Sequence, residues 1–391
     1  MTRRTGRPIR VVHVIQNLNY GGMEKVLADL LGGLDRQSFE SHVLTLRFIG
    51  RFGREAGVAA RMHEGPPMSR FSLIRPAALA RSLRRLAPDI VHTHSGVWYK
   101  TARAARMACL PRVLHTEHGK QSEARFDRFL DCRAARMTSA VVAVSRPLAH
   151  YLSERLRVPE QRITVIPNGV DCAVFAPGAA SGALRRELGL PSARAIIGSI
   201  GRLEHVKGYD VLLRALRWVT HEGGCARDPV LVVAGEGRAR ASLEALSRDL
   251  GVQDRVFLLG WRDDSLNLLR EFDCFALGSR SEGTSISLLE AMATGVPPAV
   301  TDVGGNADVL GPELQHQLAP PGDWAALGQR IVAALDPAQG PPIGARARRR
   351  VEHAFSLGAM VRRYEQLYEQ LLAEPPGRDR LRRAAQGEPV S

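Results

Sequence analysis

Ala195-Ile-Ile-Gly-Ser-Ile200 runs directly into Gly201-Arg202-Leu-Glu-His-Val-Lys207-Gly208, and Tyr209-Asp-Val-Leu-Leu-Arg-Ala-Leu-Arg-Trp-Val219 follows. The first piece is short and β-branched, as a buried strand requires. The last repeats its apolar positions every three to four residues, as an amphipathic helix does. Between them lies a glycine-flanked loop with two cations. Such a strand–loop–helix passage offers backbone N–H groups, a helix N-terminus and positive charge near one point, which suits a diphosphate. Arg202 can clamp phosphate oxygens with two parallel hydrogen bonds, and Lys207 adds a mobile point charge. Taken alone, the same loop also fits a solvated basic turn.

The same alternation extends in both directions. Strands are expected at Ile9–Ile15, His42–Leu46, Ile90–His92, Val113–Thr116, Ala140–Val144 and Thr164–Ile166. Helical patterns lie at Glu24–Leu34, Pro76–Leu86 and Glu123–Arg136. A small, Pro/Gly-rich stretch from Ala176 to Ala183 reads as a linker. Beyond it strands are expected at Ala195–Ile200, Val230–Ala234, Val256–Leu259, Cys274–Leu277 and Pro298–Thr301. Helices are expected at Tyr209–Val219, Arg238–Leu250 and Ser285–Thr294. Strands alternating with helices predict parallel sheets covered on both faces. The fold class is therefore α/β, with two doubly wound, Rossmann-like domains over residues 1–175 and 176–356. Ligands in such sheets bind at the carboxyl ends of the strands, so the cleft between two facing sheets is the expected site. A last helix is expected at Leu357–Leu372, followed by a disordered tail over residues 375–391.

Composition narrows the class. The chain has 391 residues, of which 45% are hydrophobic and 24% charged, which excludes wholesale disorder. No apolar run has the length of a membrane span, and the basic start is not followed by a secretion-signal core, so a cytoplasmic protein is expected. The five cysteines are scattered, without metal-ligand spacing, and read as reduced thiols. The net charge of +14 is unevenly placed. Residues 1–175 carry 28 Lys and Arg against 14 Asp and Glu, whereas residues 176–391 carry 26 of each. That asymmetry predicts an anionic partner for the N-terminal half, such as an acidic membrane surface. A nucleic-acid partner is not expected, since neither interleaved aromatics nor a recognition-helix motif accompanies the charge.

Three further stretches can carry chemistry. Glu282-Gly283-Thr284-Ser285-Ile-Ser-Leu-Leu-Glu290-Ala-Met follows the strand Cys274–Leu277. Gly283 permits close backbone approach, Thr284 and Ser285 can cap the next helix, and Glu282 can meet a sugar hydroxyl from the loop. Glu290 is set among Leu288, Leu289, Ala291 and Met292; a carboxylate in so apolar a stretch needs a partner, and a ribose supplies two hydroxyls. Gly21-Gly22-Met-Glu24 opens the first helix and lets a ligand approach the backbone. His118 falls on the loop after Val113–Thr116. Each of these also fits an ordinary turn or a structural histidine. Gly235-Glu-Gly237-Arg-Ala-Arg240 carries only part of a dinucleotide fingerprint, because Arg240 stands where the third Gly or Ala belongs. No phosphate-binding P-loop, zinc-protease helix or nucleophile elbow is present.

Together these stretches resemble the retaining family-4 glycosyltransferases of GT-B fold. The resemblance rests on Gly21-Gly22-Met-Glu24, His118-Gly119, Ile166-Pro-Asn-Gly-Val-Asp171, Gly201-Arg202 with Lys207-Gly208, Gly235-Glu-Gly237, Leu259-Gly-Trp261, Glu282 to Met292 and Gly304-Gly305, in that order. Within the family the sequence is most similar to sugar transferases of bacterial exopolysaccharide clusters, including those linked to PEP-CTERM/exosortase systems. The resemblance implies a UDP- or GDP-sugar as substrate, no cofactor, no metal, and a glycan or lipid-linked acceptor. It implies that Arg202 and Lys207 hold the diphosphate and that Glu290 binds the ribose. It implies that Glu282 holds the donor sugar with phosphate contacts from Gly283, Thr284 and Ser285, and that the backbone near Trp261 and Arg262 meets the base. Gly21 and Gly22 would lie against diphosphate and acceptor, His118 would hydrogen-bond the donor sugar, and the last helix would return to the first domain. Asp308 stands where the family has Glu, and Thr284 where Phe is common. A sugar-nucleotide epimerase of the same fold, or an inactive sugar-nucleotide-binding protein, would carry many of the same residues.

Overall fold

The computed structural model describes residues 7–19, 21–55, 60–67, 70–119 and 124–373. They form two compact units. One takes the described residues up to Pro167 together with those from Gly358 onward, and the other runs Asn168–Leu357.

The first unit holds seven parallel strands: β1 (Ile9–Asn17), β2 (Phe39–Phe48), β3 (Arg61–Glu64), β4 (Ile90–His94), β5 (Val113–Glu117), β6 (Ala140–Ala143) and β7 (Ile163–Val165). Their order is β3-β2-β1-β4-β5-β6-β7. The second unit holds β8 (Ile196–Ile200), β9 (Val230–Ala234), β10 (Val256–Gly260), β11 (Cys274–Leu277), β12 (Pro298–Thr301) and β13 (Leu318–Ala319). Their order is β10-β9-β8-β11-β12-β13, also parallel. Both sheets reverse direction of growth once, between β1 and β4 in the first and between β8 and β11 in the second. At such a point the loops part and leave a crevice at the strand ends.

Sequence accounts for the sheets directly. Val230-Leu-Val-Val-Ala is buried at every position, as a parallel strand covered on both faces must be. The following layers are amphipathic. The Tyr209–His221 helix buries Val211, Leu212, Leu213, Ala215, Leu216 and Val219, each worth about 1.5–3 kcal/mol for a large side chain removed from water. The Leu357–Ala373 helix buries Met360, Val361, Tyr364, Leu367, Tyr368 and Leu371. It packs on the first unit: Tyr368 Oη meets His92 Nδ1 at 2.9 Å, and Arg112 Nε donates to the Leu371 carbonyl at 2.8 Å.

Three expectations need correction. The crossing between units is at Pro167–Asn168, not after residue 175. The Ala176–Ala183 stretch belongs to the second unit because its polar groups are satisfied there. Arg270 donates twice to the Ala176 carbonyl, and the buried Glu271 carboxylate accepts from Ser181 Oγ and from the amides of Leu184 and Arg185. Second, β3 and β13 were not expected. β3 reads Arg-Met-His-Glu and is only partly buried, as an edge strand is, and β13 has two residues. Neither leaves an apolar run to read. Third, the Glu123–Arg136 pattern is helical over Arg125–Ala135, and residues 120–123 lie outside the described set, as does the tail from 374.

Candidate active site

In the second unit, the loops after β8 and β11 flank the switch point, and they meet. Lys207 Nζ donates to both oxygens of Glu282, at 2.7 and 3.0 Å. Ser279 Oγ adds a third bond to Glu282 Oε1 at 2.7 Å. Glu282 is thus an enclosed carboxylate, 7% exposed, and Lys207 is 22% exposed. Arg202, on the same loop as Lys207, is exposed, and among the described residues its guanidinium has no ion-pair partner. A bidentate pair between Arg280 and Asp210, at 2.6 and 2.7 Å, ties the β11 loop to the helix that follows β8. The Arg280 amide donates to the Val206 carbonyl at 2.8 Å.

Glycine makes these approaches possible. Gly208 and Gly304 both have positive φ, at 60° and 54°. A Cβ on Gly208 would run into the Gly278 carbonyl, and one on Gly304 into the Glu282 carbonyl. The Gly305 amide donates to the Gly283 carbonyl at 2.8 Å, Asn168 Nδ2 donates to the Thr284 carbonyl at 3.0 Å, and Thr301 Oγ1 donates to the Ser279 carbonyl at 2.7 Å. Ser285 caps the Ile286–Ala293 helix by accepting from the Leu288 amide. Glu290 sits on that helix at 4% exposure. Trp261, just past β10, is 41% exposed. Arg262 is held by Asp264 and Glu187 in pairs of 2.7–2.9 Å, so its own side chain is already committed.

In the first unit Gly21 is the extended residue before the Gly22–Gly33 helix, at the end of β1 and hence at that sheet's switch point. His118 follows β5. Its Nε2 meets His94 Nδ1 at 3.1 Å, and its backbone amide donates to Ser95 Oγ at 2.8 Å. Burial pushes the His118 imidazole down to about 4, so it is neutral at pH 7. Glu117 beside it accepts from Ser95 Oγ, from His115 Nε2 at 3.3 Å and from the Gly119 amide. Burial alone would raise its carboxyl, but these hydrogen bonds outweigh that and hold it below the usual range.

Sequence reasoning missed several supports. Ser279, Arg280 and Asp210 fix the β8 and β11 loops, yet nothing separates them from ordinary surface residues in the sequence. His13, His92 and His94 were also missed. They had a signal: each is a polar residue inside an apolar strand, Val-Val-His13-Val-Ile and Ile-Val-His92-Thr-His94, and they are 0, 0 and 2% exposed. Elsewhere, a cavity of about 400 Å³ lies between Arg240, Glu244, Arg248 and Phe257 on the β10 edge. It is lined by none of the residues above.

Comparison with known proteins decides what these loops belong to. The family model described as Glycosyltransferase Family 4 matches residues 20–174, and that described as Glycosyl transferases group 1 matches residues 181–342. A UDP-Gal:alpha-D-GlcNAc-diphosphoundecaprenol alpha-1,3-galactosyltransferase from Escherichia coli is 30% identical over 301 residues, 74% of this chain and 78% of that protein. The chain belongs to the family 4 glycosyltransferases. This glycosyltransferase is also 28% identical to the putative glycosyltransferase EpsF of Bacillus subtilis, over 75% of this chain and 79% of that one. Its fold matches that of Anabaena HepE, crystallised with UDP-glucose, at a TM-score of 0.80 and 20% identity, covering 93% of this chain and all of the other. The two sheets of seven and six strands are thus the two Rossmann-like domains of a GT-B fold.

Proposed function

We propose that this glycosyltransferase moves a sugar from a nucleoside diphosphate donor to a glycan or lipid-linked acceptor, with retention at the anomeric carbon and without a divalent metal. The observation that carries the reading is the exposed Arg202 guanidinium, without an acidic partner among the described residues, on the same glycine-flanked loop as Lys207 at the switch point of the second sheet. As the anomeric bond breaks, negative charge grows on the departing diphosphate. Cations already in place stabilise that charge more than the ground state. Two such groups take the electrostatic role that a metal has elsewhere. Glu282 holds Lys207 in position and turns toward donor-sugar hydroxyls when phosphate recruits the ammonium. Glu290 binds the ribose, Gly283–Ser285 add contacts to phosphate, and the backbone at Trp261 meets the base. In the first unit, Gly21 and Gly22 border the acceptor and His118 meets the donor sugar. Retention follows from attack on the face that the diphosphate leaves, with the acceptor proton passing to a departing phosphate oxygen.

The name of the E. coli relative, a galactosyltransferase acting on a diphosphoundecaprenol-linked sugar, supports a lipid-linked acceptor and a role in exopolysaccharide or envelope glycan synthesis. The surface of the first unit supports a peripheral station on the cytoplasmic face of the plasma membrane. No helix among the described residues is long and apolar enough to cross a membrane. Instead Phe71, Ile74, Phe126 and Phe129 stand 54–80% exposed, interleaved with exposed Arg75, Arg125 and Arg128. Both segments flank one helix, Trp98–Met107, which packs against the Arg70–Leu73 turn, the Ala77–Leu86 helix and the Arg125–Ala135 helix. Exposed apolar side chains beside arginines, with Asp127 as an acidic residue among them, suit an anionic leaflet.

The test is turnover of UDP- and GDP-sugars on lipid-linked acceptors in EDTA, with the product anomer read by NMR. An α-linked product from an α-linked donor in EDTA is the expected result. An inverted product or a strict metal requirement overturns it, and conversion of donor without acceptor indicates an epimerase.

A further inference from the structure

Three histidines of the first unit stand in line. His13 Nδ1 meets His94 Nε2 at 3.3 Å, and His94 Nδ1 meets His118 Nε2 at 3.1 Å. The ring planes are inclined by only 18° and 27°, with centroids 5.5 and 5.4 Å apart. Those separations equal the nitrogen–nitrogen distance plus two ring radii, so the rings lie end to end and not face to face. Both ends of the row stop at an enclosed nitrogen: among the described residues, His13 Nε2 and His118 Nδ1 are buried and have no hydrogen-bond partner.

The other buried rings are occupied elsewhere. His92 is bonded to Tyr368 Oη and to Thr116 Oγ1, and His115 to Thr93 Oγ1 and Glu117. A metal reading of His13, His92 and His94, whose nitrogens lie within 4.8 Å of one another, fits poorly. The facing nitrogens of His13 and His94 point at each other, not at a common centre, and both nitrogens of His92 are already used.

We propose that His13 and His94 are positioning residues that fix His118 as its Nδ1–H tautomer, so that His118 presents a hydrogen-bond donor to an oxygen of the bound donor sugar. The argument is one of proton counting. Burial pushes His13 down to about 3 and His118 to about 4, and holds His94 well below its ordinary value. At neutral pH each ring therefore carries one proton. A row of singly protonated imidazoles has two polarities. In one, His13 donates to His94, His94 donates to His118, and the spare N–H is at His118. In the other the spare N–H is His13 Nε2. A buried donor without a partner is the costlier orphan. Both end nitrogens are enclosed, but His13 is wholly buried in the strand β1, whereas His118 lies on a loop and is part-exposed as a residue, so its end of the row is the one nearer the surface. The first polarity is the one that leaves the spare donor at that end, where the donor sugar of the proposed function would meet it. The role of the sugar oxygen rests on the proposed function; the polarity of the row does not.

The two are tested separately. In protein labelled with ¹⁵N-histidine at pH 7.5, without ligand, His118 should show a protonated Nδ1 and a bare Nε2. His94→Leu should move His118 toward the Nε2–H form that free imidazoles prefer. His94→Asn, whose amide N–H replaces His94 Nδ1–H, should restore the wild-type pattern and most of the turnover that His94→Leu loses, about tenfold. Wild-type His118 in the Nε2–H form overturns the relay without need of any variant, as does an unchanged His118 spectrum in a folded His94→Leu protein. His118→Ala with full turnover would instead remove His118 from the donor sugar while the measured polarity stands.

Discussion

The ammonium of Lys207 lies between both carboxylate oxygens of Glu282, at 2.7 and 3.0 Å. On the proposed function, an incoming diphosphate must therefore compete with Glu282 for Lys207, whereas Arg202 has no ion-pair partner among the described residues. Arg202→Ala should lower kcat by roughly 10²-fold, the scale of losing one donor to a developing anion, and leave the melting temperature unchanged. Lys207→Gln should lose a similar factor while keeping a hydrogen bond to Glu282. Lys207→Ala should also destabilise the second unit, by about 1–3 kcal/mol, because it strands an enclosed carboxylate. Steady-state kinetics beside calorimetry separates the three. Near-wild-type turnover in either Arg202→Ala or Lys207→Gln would remove that residue from the diphosphate.

Glu290 tests the ribose. Glu290→Gln keeps the shape and weakens charge-assisted bonds by roughly 1–2 kcal/mol. Titration calorimetry should show about tenfold weaker binding of the nucleoside diphosphate and no change for a sugar 1-phosphate, which has no ribose. Equal losses for both ligands would place Glu290 elsewhere.

Two glycines with the same backbone sign should behave differently. Gly251 has φ of 67° and open space around its Cα, whereas Gly304 has φ of 54° and faces the Glu282 carbonyl. Gly251→Ala should cost about 1–2 kcal/mol, the left-handed penalty alone. Gly304→Ala should cost more than that and also weaken donor binding, since relief of the clash displaces Glu282. Chemical denaturation of both variants gives the comparison, and equal costs would contradict it.

Acid should undo the first unit before the second. His13 and His118 titrate near 3 and 4 when folded, against about 6.5 in an unfolded chain. His92 and His94 are likewise held well below their ordinary value, burial being the first cause. The unfolded state therefore binds more protons below pH 6.5. Stability is present above that pH and falls as the pH drops from 6.5 through about 4, by up to about 1.4 kcal/mol per pH unit for each histidine. Thermal melts between pH 7.5 and 4.5 should show an early transition that moves strongly with pH, reported by Trp98 in the first unit. A pH-independent first transition would mean that the histidines are already charged or solvated.

Liposomes test the exposed aromatic and arginine side chains that flank the Trp98–Met107 helix. The protein should co-sediment with anionic vesicles at low salt and release at about 0.5 M salt, as a few basic residues worth about 1 kcal/mol each would. Reversing Arg125, Arg128 and Arg136 to Glu should abolish sedimentation and spare nucleotide affinity. Phe126→Ser with Phe129→Ser should weaken binding while leaving its salt dependence intact. Equal binding to neutral vesicles would assign the charge asymmetry to composition.

Much of this molecule could be read from one-dimensional pattern. The buried parallel strand Val230–Ala234 is a continuous apolar run, and its bounds were anticipated to the residue; those of Phe39–Phe48, with polar residues near its start, were expected only over His42–Leu46. The loop Gly201–Gly208 announced itself because glycine and paired cations are conspicuous between a strand and a helix. What stayed hidden depends on contacts between distant positions. Nothing near Ala176 shows that Arg270 and Glu271, some ninety residues on, hold it in the second unit. Nothing local shows that Lys207 is matched by Glu282, seventy-five residues later. The histidine row is hidden for the same reason: its members come from β1, β4 and the loop after β5, and only the parallel register sets them in line.

The return of the Leu357–Ala373 helix to the first unit has a consequence for biosynthesis. A ribosome releases residues from the N-terminus onward, and domains commonly fold in that order. Here Tyr368, which bonds the enclosed His92 of β4, and Tyr364, which bonds Thr116 of β5, are made only after the whole of the second unit. The unit begun before the second is therefore finished after it. Until that helix is made, the first unit's histidine-lined strands lack the two phenols that close over them, while the second unit already has its whole sequence. A nascent chain stalled at Leu357 would hold a complete second unit beside a first unit still waiting for the Leu357–Ala373 helix.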